Sequence, residues 1–486
     1  MEKKLVYDIH DKPKFGQMLI FAIQQVLAIL AATIAVPTII GLPTQIPAAI
    51  LGAGIGTLVY QLFTRFKSPV FLGSSFAFLS SLFVAVAYGY CGIILGSVVA
   101  GLAYVAIAVI VRITGTAWVD KLMPPAIIGP TVALIGLSLA GSAMGDIVEV
   151  RSINGTYNLV SLFCGLVTFL AVVISSTQKR FKMARLVPFI IGIGAGYVTA
   201  TIFTVIGIAT DINYFRIIDF QPIIDNFISS EGTFKGIEAI FACPDFALLE
   251  AINELLTGNL SQAILTANPD AALLNAGGIA EVVIAFLPVA LVVFAEHIAD
   301  HKNLSSIIGH DLIKDPGLDK TLLGDGVGSI AGTVFGICPN TTYGESVGCV
   351  AITRNASVAT ITTAIMCIIL SFIKPLMVIL QSIPSCVMGG VCLTLYGFIA
   401  VSGLRMFKHL DLDDNKNLFV VASILISGIG GLAVQIPYEI SQANEITGTI
   451  QITPIATALI IGIVTNAILT KVEKSKIGVD PEDKAE

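Results

Sequence analysis

The chain has 486 residues, of which 55% are hydrophobic and only 12% are charged. A soluble domain carries about 25% charged residues, and the mean hydropathy here is +0.89. This composition excludes a soluble domain, and we expect neither an enzyme nor a nucleic-acid partner. The apolar residues form long runs instead of the short alternating segments of a β-barrel. They predict an all-α polytopic membrane protein with the lipid bilayer as its surroundings.

Apolar runs that resemble membrane spans follow one another along the chain in two sets of seven. The first set covers residues 17–40, 46–63, 70–88, 92–112, 124–143, 158–177 and 186–207. The second set covers residues 281–299, 320–338, 343–356, 358–373, 384–403, 417–436 and 453–470. A long polar stretch, residues 208–280, separates the two sets. We therefore expect about 14 transmembrane segments.

Basic residues recur at the N-terminus and after every second predicted segment, which indicates the orientation. They include Lys3, Lys4, Lys12, Lys14, Arg65, Lys67, Arg112, Lys121, Lys179, Arg180, Lys182, Arg185, Lys302, Lys314, Arg354, Arg405 and Lys471. The stretch 208–280 is instead rich in Asp and Glu. By the positive-inside rule, both termini lie in the cytoplasm and the acidic stretch lies outside.

Two short polar motifs interrupt the apolar runs at corresponding places. GSSFAF in the third segment contains Ser74–Phe76, and NTTYGE, which leads into the tenth, contains Thr341–Tyr343. Because each half has seven segments, the second half must be inverted relative to the first. Interrupted helices at matching positions of inverted repeats mark the midplane site of many transporters. The sequence therefore predicts a transport site between the two motifs.

Ionisable residues within membrane segments are costly, so each one is a candidate for function. In AEHIADH, Glu296 and Asp300 are four residues apart and share a helix face, while His297 and His301 share a neighbouring face. The alternative for Asp300 and His301 is a solvated helix end. Two further candidates stand in or beside other segments: Glu345 at the end of the second polar motif and Asp325 at the start of the ninth segment.

Two other readings of these motifs are disfavoured by their spacing. HIADH has two His residues four apart, but a zinc-peptidase helix requires Glu directly after the first His, where this chain has Ile298. The glycines of GAGIG (52–56) follow no predicted strand, so close helix packing explains them better than nucleotide binding. We therefore predict no metal site and no nucleotide loop at these motifs.

Two carboxylates beside two interrupted helices suit a planar ligand that carries N–H groups. An ionised carboxylate only accepts hydrogen bonds, so Glu296 and Glu345 fit the two N–H donors of a base such as uracil. Backbone N–H groups at the half-helices fit its carbonyl oxygens, and Phe76 and Tyr343 fit its ring faces. A protonated carboxyl group would link proton uptake to substrate binding. An anion exchanger of similar architecture is the alternative class, and the two glutamates argue against it.

GSSFAF, AEHIADH and TTYGESVGCVAITR, in this order, resemble the motifs of the nucleobase–ascorbate transporter family, and the likeness extends over most of the chain. The resemblance implies two inverted repeats of seven segments, with short strands in segments 3 and 10. It also implies proton symport by an elevator-like movement, commonly in a homodimer, with a proton gradient and no cofactor. Purine-specific relatives tend to carry Gln where this chain has Glu345. Uracil is therefore the expected substrate, and xanthine or uric acid is the alternative.

The family fold further implies a division into a core domain and a gate domain. The expected boundaries are 1–16 for the cytoplasmic N-terminus, 17–113 and 281–375 for the core, 114–207 and 376–470 for the gate, 208–280 for the outer loop and 471–486 for the cytoplasmic tail. Within the core, the third and tenth segments are expected to hold the substrate between them.

The resemblance also implies site residues, carried over by position. The expected substrate-binding residues are Glu296, Glu345, Phe76, Tyr343, Gly344 and Ala32. His301 matches a histidine tied to proton coupling, Tyr396 is its expected partner across the core–gate boundary, and Asp325 falls near the coupling network. Two positions depart from the family pattern. Ser346 stands where relatives carry Asn, and Gln24–Gln25 stands where relatives often have Gln-His.

Overall fold

The protein is described by a computed structural model that covers residues 5–148, 157–178, 180, 184–185, 187–228, 234–357, 359–440 and 446–477. Within these ranges, nine helical stretches are long and apolar enough to cross a membrane, and three apolar helices are shorter. The chain is thus a multi-pass membrane protein, while the count of 14 segments stays a prediction. Parts of the predicted termini and of the basic cluster near Arg180 lie outside the described residues.

The helices before the polar stretch correspond to the first set of predicted segments. They are α1 (Phe15–Ile39), α2 (Ile46–Phe63), α3 (Leu79–Val86), α4 (Gly89–Thr114), α5 (Ala117–Leu122), α6 (Pro125–Ser138), α7 (Ala140–Val148), α8 (Leu159–Thr177) and α9 (Pro188–Thr210). The polar stretch itself contains three short helices: α10 (Gln221–Phe227), α11 (Ala247–Thr257) and α12 (Gln262–Ala267).

The helices after the polar stretch include the longest one in the described chain. They are α13 (Ala276–Ile308), α14 (Leu318–Phe335), α15 (Gly344–Thr353), α16 (Ala359–Ser371), α17 (Lys374–Gln381), α18 (Ser385–Arg405), α19 (Asn415–Ile429) and α20 (Pro454–Ile477). Helix α13 has 33 residues, so it extends well beyond the predicted segment 281–299 and carries the whole AEHIADH motif.

The polar motifs of both halves form a strand that is followed by a helix. Strand β1 (Leu72–Ser74) pairs antiparallel with strand β2 (Asn340–Thr342), and Gly73 lies opposite Thr341. A short 3₁₀ turn and α3 follow β1, and α15 follows β2 directly. Each strand supplies the other with backbone hydrogen-bond partners that a broken helix in lipid would otherwise lack.

A second strand pair was not expected from the sequence. The predicted segment 417–436 is wrong at its end, because α19 stops at Ile429 and Gly431 adopts a φ of +71°. Strand β3 (Val434–Ile440) then pairs antiparallel with β4 (Ile446–Ile452). Both strands are rich in Val, Ile and Thr, residue types that favour a strand over a helix.

The helices pack in two sets. In one set, α2 packs against α14 and α16, and α4 packs against α13 and α14. In the other, α18 packs against α6 and α8, α8 packs against α9, and α19 packs against α20. The first set lies within the predicted core ranges and the second within the predicted gate ranges. The boundaries of the two domains remain a prediction.

The glycines of GAGIG serve close helix packing, which confirms that expectation. A Cβ atom built on Gly52 would collide with the carbonyl oxygen of Gly332 on α14 and would lie 2.9 Å from Cα of Gly336. One turn later, a Cβ atom on Gly56 would lie 2.7 Å from the carbonyl oxygen of Gly328. Backbone therefore packs on backbone along the α2–α14 contact, as is common between membrane helices.

We expect the Gly52→Ala variant to unfold at a lower temperature in detergent than the unmodified protein. The added methyl group meets backbone, which cannot rotate away, and such overpacking typically costs about 1–3 kcal/mol. Gly194→Ala in α9 is the matched control, because a Cβ atom there has no neighbour within 4 Å. Equal melting temperatures for the two variants would contradict the assigned contact.

Candidate substrate-binding site

A cavity of about 730 Å³ lies where the two interrupted segments meet α13. Near the strands, its lining comprises Ser75, Phe76, Glu296, Asp300, Thr341, Thr342, Tyr343, Gly344 and Glu345. The cavity extends along the helices to Arg185 and Arg405, at the ends that were predicted to face the cytoplasm. Its volume falls in the range of small-molecule sites, which runs from about 300 to 1,000 Å³.

Three carboxylates converge on this cavity. Glu296 and Asp300 come from successive turns of α13, and Glu345 comes from the first turn of α15. The hydroxyl of Thr342 on β2 donates a 2.8 Å hydrogen bond to Oδ2 of Asp300. Oε2 of Glu296 has no hydrogen-bond partner within the described chain. Glu296 therefore lines the cavity while one of its buried carboxylate oxygens has no donor from the described chain.

The first turns of two half-helices also line the cavity. Ser75 and Phe76 precede α3, and Gly344 and Glu345 begin α15. Backbone N–H groups in the first turn of a helix have no intrahelical acceptor, and the helix dipole places partial positive charge there. The cavity consequently combines carboxylate acceptors with backbone donors, so it can pair with both edges of a polar planar ligand.

The aromatic residues hold the site together as well as lining it. The ring of Tyr343 lies across Gly73, where any Cβ atom would collide with it, and its hydroxyl donates to the carbonyl oxygen of Ser74 at 3.1 Å. Tyr343 thereby ties β2 to β1. Phe76 makes an edge-to-face contact with Tyr396 on α18, with ring centroids 5.5 Å apart.

His297 and His301 belong to a separate buried network on α13. Nδ1 of His297 lies 2.7 Å from Oδ2 of Asp325, and its Nε2 lies 3.0 Å from the hydroxyl of Thr321. Nδ1 of His301 donates to the carbonyl oxygen of His297 at 2.8 Å, because a carbonyl oxygen only accepts. In the neutral ring, Nε2 of His301 then accepts from the hydroxyl of Tyr60, also at 2.8 Å.

The structure brings together five of the six expected binding residues. Glu296, Glu345, Phe76, Tyr343 and Gly344 all line the cavity. Ala32 is fully buried and does not line it, whereas Ala28, one turn earlier on α1, does.

The three residues expected to serve proton coupling, His301, Asp325 and Tyr396, lie outside the cavity lining. In this structure the two ring nitrogens of His301 contact His297 O and the hydroxyl of Tyr60, and the pairing of His301 with Tyr396 stays a prediction. The proton-coupling roles themselves stay predictions.

Sequence reasoning gave too little weight to Asp300. A solvated helix end is wrong for this stretch, since Asp300 is 6% exposed and His301 is fully buried. The spacing of four residues from Glu296 was the available signal, because it places Asp300 on the same helix face one turn later. Thr342 was part of the predicted polar motif, but its hydrogen bond to Asp300 was not predicted.

Ser346 stands where relatives are expected to carry Asn, and it does not line the cavity. Any effect of this exchange therefore acts through its other contacts. Its hydroxyl oxygen accepts from Nε2 of Gln25 at 3.0 Å and from the backbone N–H of Phe71 at 3.3 Å. Oε1 of Gln25 in turn accepts from the hydroxyl of Thr363 at 2.9 Å. Ser346 therefore joins α15 to α1, α16 and the backbone that leads into β1.

A long polytopic chain with interrupted helices beside a cavity that contains three carboxylates defines the class of membrane transporters, not of enzymes. Comparison with known families agrees. The sequence profile of the Permease family of xanthine and uracil permeases matches residues 16–437. The chain therefore belongs to this family, the nucleobase–ascorbate transporters, as its motifs predicted.

Individual relatives match over nearly their full length. The uracil permease of Bacillus caldolyticus is 34% identical over 96% of this chain and 95% of its own length. The uracil permease of Bacillus subtilis (strain 168) is 34% identical over 98% of both chains. The uracil permease of Escherichia coli (strain K12) is 32% identical over 98% of this chain and 97% of its own length.

Solved structures share the architecture at low sequence identity. The transmembrane domain of the cyanobacterial bicarbonate transporter BicA covers 93% of this chain with a TM-score of 0.51 and 14% identity, and 96% of that domain is matched. The structure of SLC26A9 covers 95% of this chain with a TM-score of 0.57 and 11% identity, and 66% of that protein is matched. At this identity the likeness concerns the fold alone.

We expect Ser346→Ala to lower both the melting temperature and the substrate affinity. It leaves the buried Gln25 amide and the Phe71 N–H without their acceptor, and an unsatisfied buried donor costs about 1–3 kcal/mol. Ser371→Ala is the matched control, because among the described residues the hydroxyl of that buried serine donates to Ile368 O within its own helix. A Gln25→Ala, Ser346→Ala double variant should lose less than the sum of the single losses. Full additivity would show that the pair is not coupled.

Proposed function

We propose that the chain imports uracil across the cytoplasmic membrane, with both termini in the cytoplasm, and that uptake is coupled to protons. The observation that carries the proposal is the cavity in which Glu296 and Glu345 meet the first turns of two half-helices. Uracil has two N–H groups and two carbonyl groups in one plane. Carboxylates can accept hydrogen bonds from the N–H groups of uracil, and free backbone N–H groups can donate to its carbonyl groups.

The relatives support the choice of substrate. Several of those matched over nearly the full chain are uracil permeases. An ionised Glu345 accepts from an N–H group, which uracil, xanthine and uric acid all carry, so the relatives decide the order of the substrates. We therefore place uracil ahead of xanthine and uric acid as the transported base.

Proton coupling is supported by the grouping of carboxylates. Glu296, Asp300 and Glu345 share one buried cavity, where like charges repel strongly because the dielectric constant is low. Binding one proton relieves that repulsion, and it also converts an acceptor into a donor for the substrate. We propose that Asp300 takes the proton, since it lines the cavity and accepts a hydrogen bond from the hydroxyl of Thr342.

Movement of the core helices against the gate helices is the proposed route across the membrane. The edge-to-face contact between Phe76 and Tyr396 lies on this boundary, and the cavity lining includes residues from both sets of helices. Such a boundary allows an elevator-like displacement of the site. We further propose a homodimer as the functional form, as the family resemblance implies.

We expect Glu296→Gln and Glu345→Gln each to weaken uracil binding by about tenfold to a hundredfold. Loss of a hydrogen bond to a charged group costs about 1.5–3 kcal/mol, and each 1.4 kcal/mol is a factor of ten. Binding to purified protein measures the effect, and Glu250→Gln, outside the cavity, is the control. In a competition assay with labelled uracil, displacement by excess xanthine but not by thymine would instead favour a purine as the substrate.

We expect Asp300→Asn to exchange uracil across proteoliposomes but to lose accumulation driven by a pH gradient. The amide keeps the size of the side chain and cannot release a proton at working pH. His301→Ala in the same assay tests the coupling role that the resemblance assigns to this histidine. If His301→Ala loses accumulation and Asp300→Asn keeps it, the proton site lies in the buried histidine network.

A further inference from the structure

Helix α11, in the polar stretch between the two halves, presents three different faces. With 100° between successive residues, Ala247, Ala251 and Glu254 fall on one face. Glu250, Asn253 and Thr257 fall on a second. The third face carries only large apolar residues: Leu248, Leu249, Ile252, Leu255 and Leu256.

The first face is fixed to the outer end of α4. Ala247, Ala251 and Glu254 are buried. Oε2 of Glu254 accepts from the backbone N–H of Cys91 at 3.2 Å, and the thiol of Cys91 donates to the carbonyl oxygen of Ala251 at 3.4 Å. The carboxylate thus satisfies a first-turn N–H of α4, which begins at Gly89. These contacts set the rotation of α11 about its own axis.

The third face is left uncovered by this attachment. All five of its residues are exposed, and Leu255 and Leu256 are 73% and 82% exposed. They span an arc of roughly 120° that is free of polar residues, a width typical of a helix face that contacts an apolar phase. Ile237, Ile240 and Phe241, shortly before α11 in the chain, are exposed apolar residues as well.

We propose that α11 is an interfacial helix whose leucine-rich face is seated in the acyl region of the outer membrane leaflet. Its anchor is the first turn of a membrane-spanning helix, so the uncovered face stands at the edge of the bilayer. The first face packs on protein, the leucine-rich face would contact lipid, and the polar face would contact water. A helix that lies in a membrane interface requires such an arrangement. The inference concerns the lipid as partner and does not depend on which base is transported.

Tryptophan quenching in proteoliposomes tests the proposal. The chain has one tryptophan, Trp118, so Leu256→Trp and Thr257→Trp are each made in a Trp118→Phe background. Phospholipids with bromine on the acyl chains are expected to remove most of the emission of the residue introduced at position 256. They should leave the residue at 257, on the polar face, largely unquenched, while aqueous iodide should show the opposite order.

Two results would overturn the proposal. Strong iodide quenching and weak bromolipid quenching at position 256 would place the leucine face in water. Weak quenching by both reagents would show that protein covers the face, and disulfide cross-linking through Leu255→Cys would then identify a second copy of the chain. If Trp118→Phe impairs folding, Trp118 is kept and the quenching measured for the unmodified protein is subtracted from that of each variant. Leu255→Trp provides an independent position on the leucine-rich face.

Discussion

The antiparallel pairing of β1 with β2 is the interaction on which the rest of the site depends. Two segments leave the helical conformation within a membrane protein, and each freed N–H or C=O group would cost several kcal/mol in an apolar surrounding. Pairing avoids this cost, because each strand supplies hydrogen-bond partners for the backbone of the other. Beyond the ladder, the N–H of Ser75 donates to Pro339 O at 2.9 Å, and the N–H of Tyr343 donates to Phe71 O at 3.2 Å.

The pairing of the strands also determines where the candidate substrate-binding site lies. An antiparallel pair places the helices that follow it at opposite ends of the ladder, but β1 and β2 are only three residues long, so both helices begin near the same cavity and residues at both starts line it. Gly73 allows this arrangement, since the ring of Tyr343 occupies the space of a side chain there. Helix α13 then contributes Glu296 and Asp300 across the same space, so donors and acceptors are brought together by backbone geometry.

Much of this arrangement could be predicted from local sequence. The equivalence of Ser74–Phe76 and Thr341–Tyr343 located the two places where the helices are interrupted. In the strand register, Gly73 lies opposite Thr341 and Ser74 lies opposite Asn340. This register has the two-fold form that an inverted repeat requires. The repeat over the whole chain stays a prediction.

The contacts of Ser346 could not be predicted in the same way. Its partner Gln25 is 321 residues away along the chain, and no periodicity relates the two positions. The β3–β4 hairpin was missed because an apolar run that contains Gly430–Gly431 resembles a span when hydrophobicity alone is counted.

The positions of Asp300 and His301 show where periodicity and family resemblance disagree. The resemblance assigns proton coupling to His301, but one residue on a helix corresponds to a rotation of about 100°. Glu296 faces the cavity, so Asp300, four residues on, faces it too, and His301 is rotated toward Tyr60 on α2. The helix phase therefore places Asp300, and not His301, on the cavity lining.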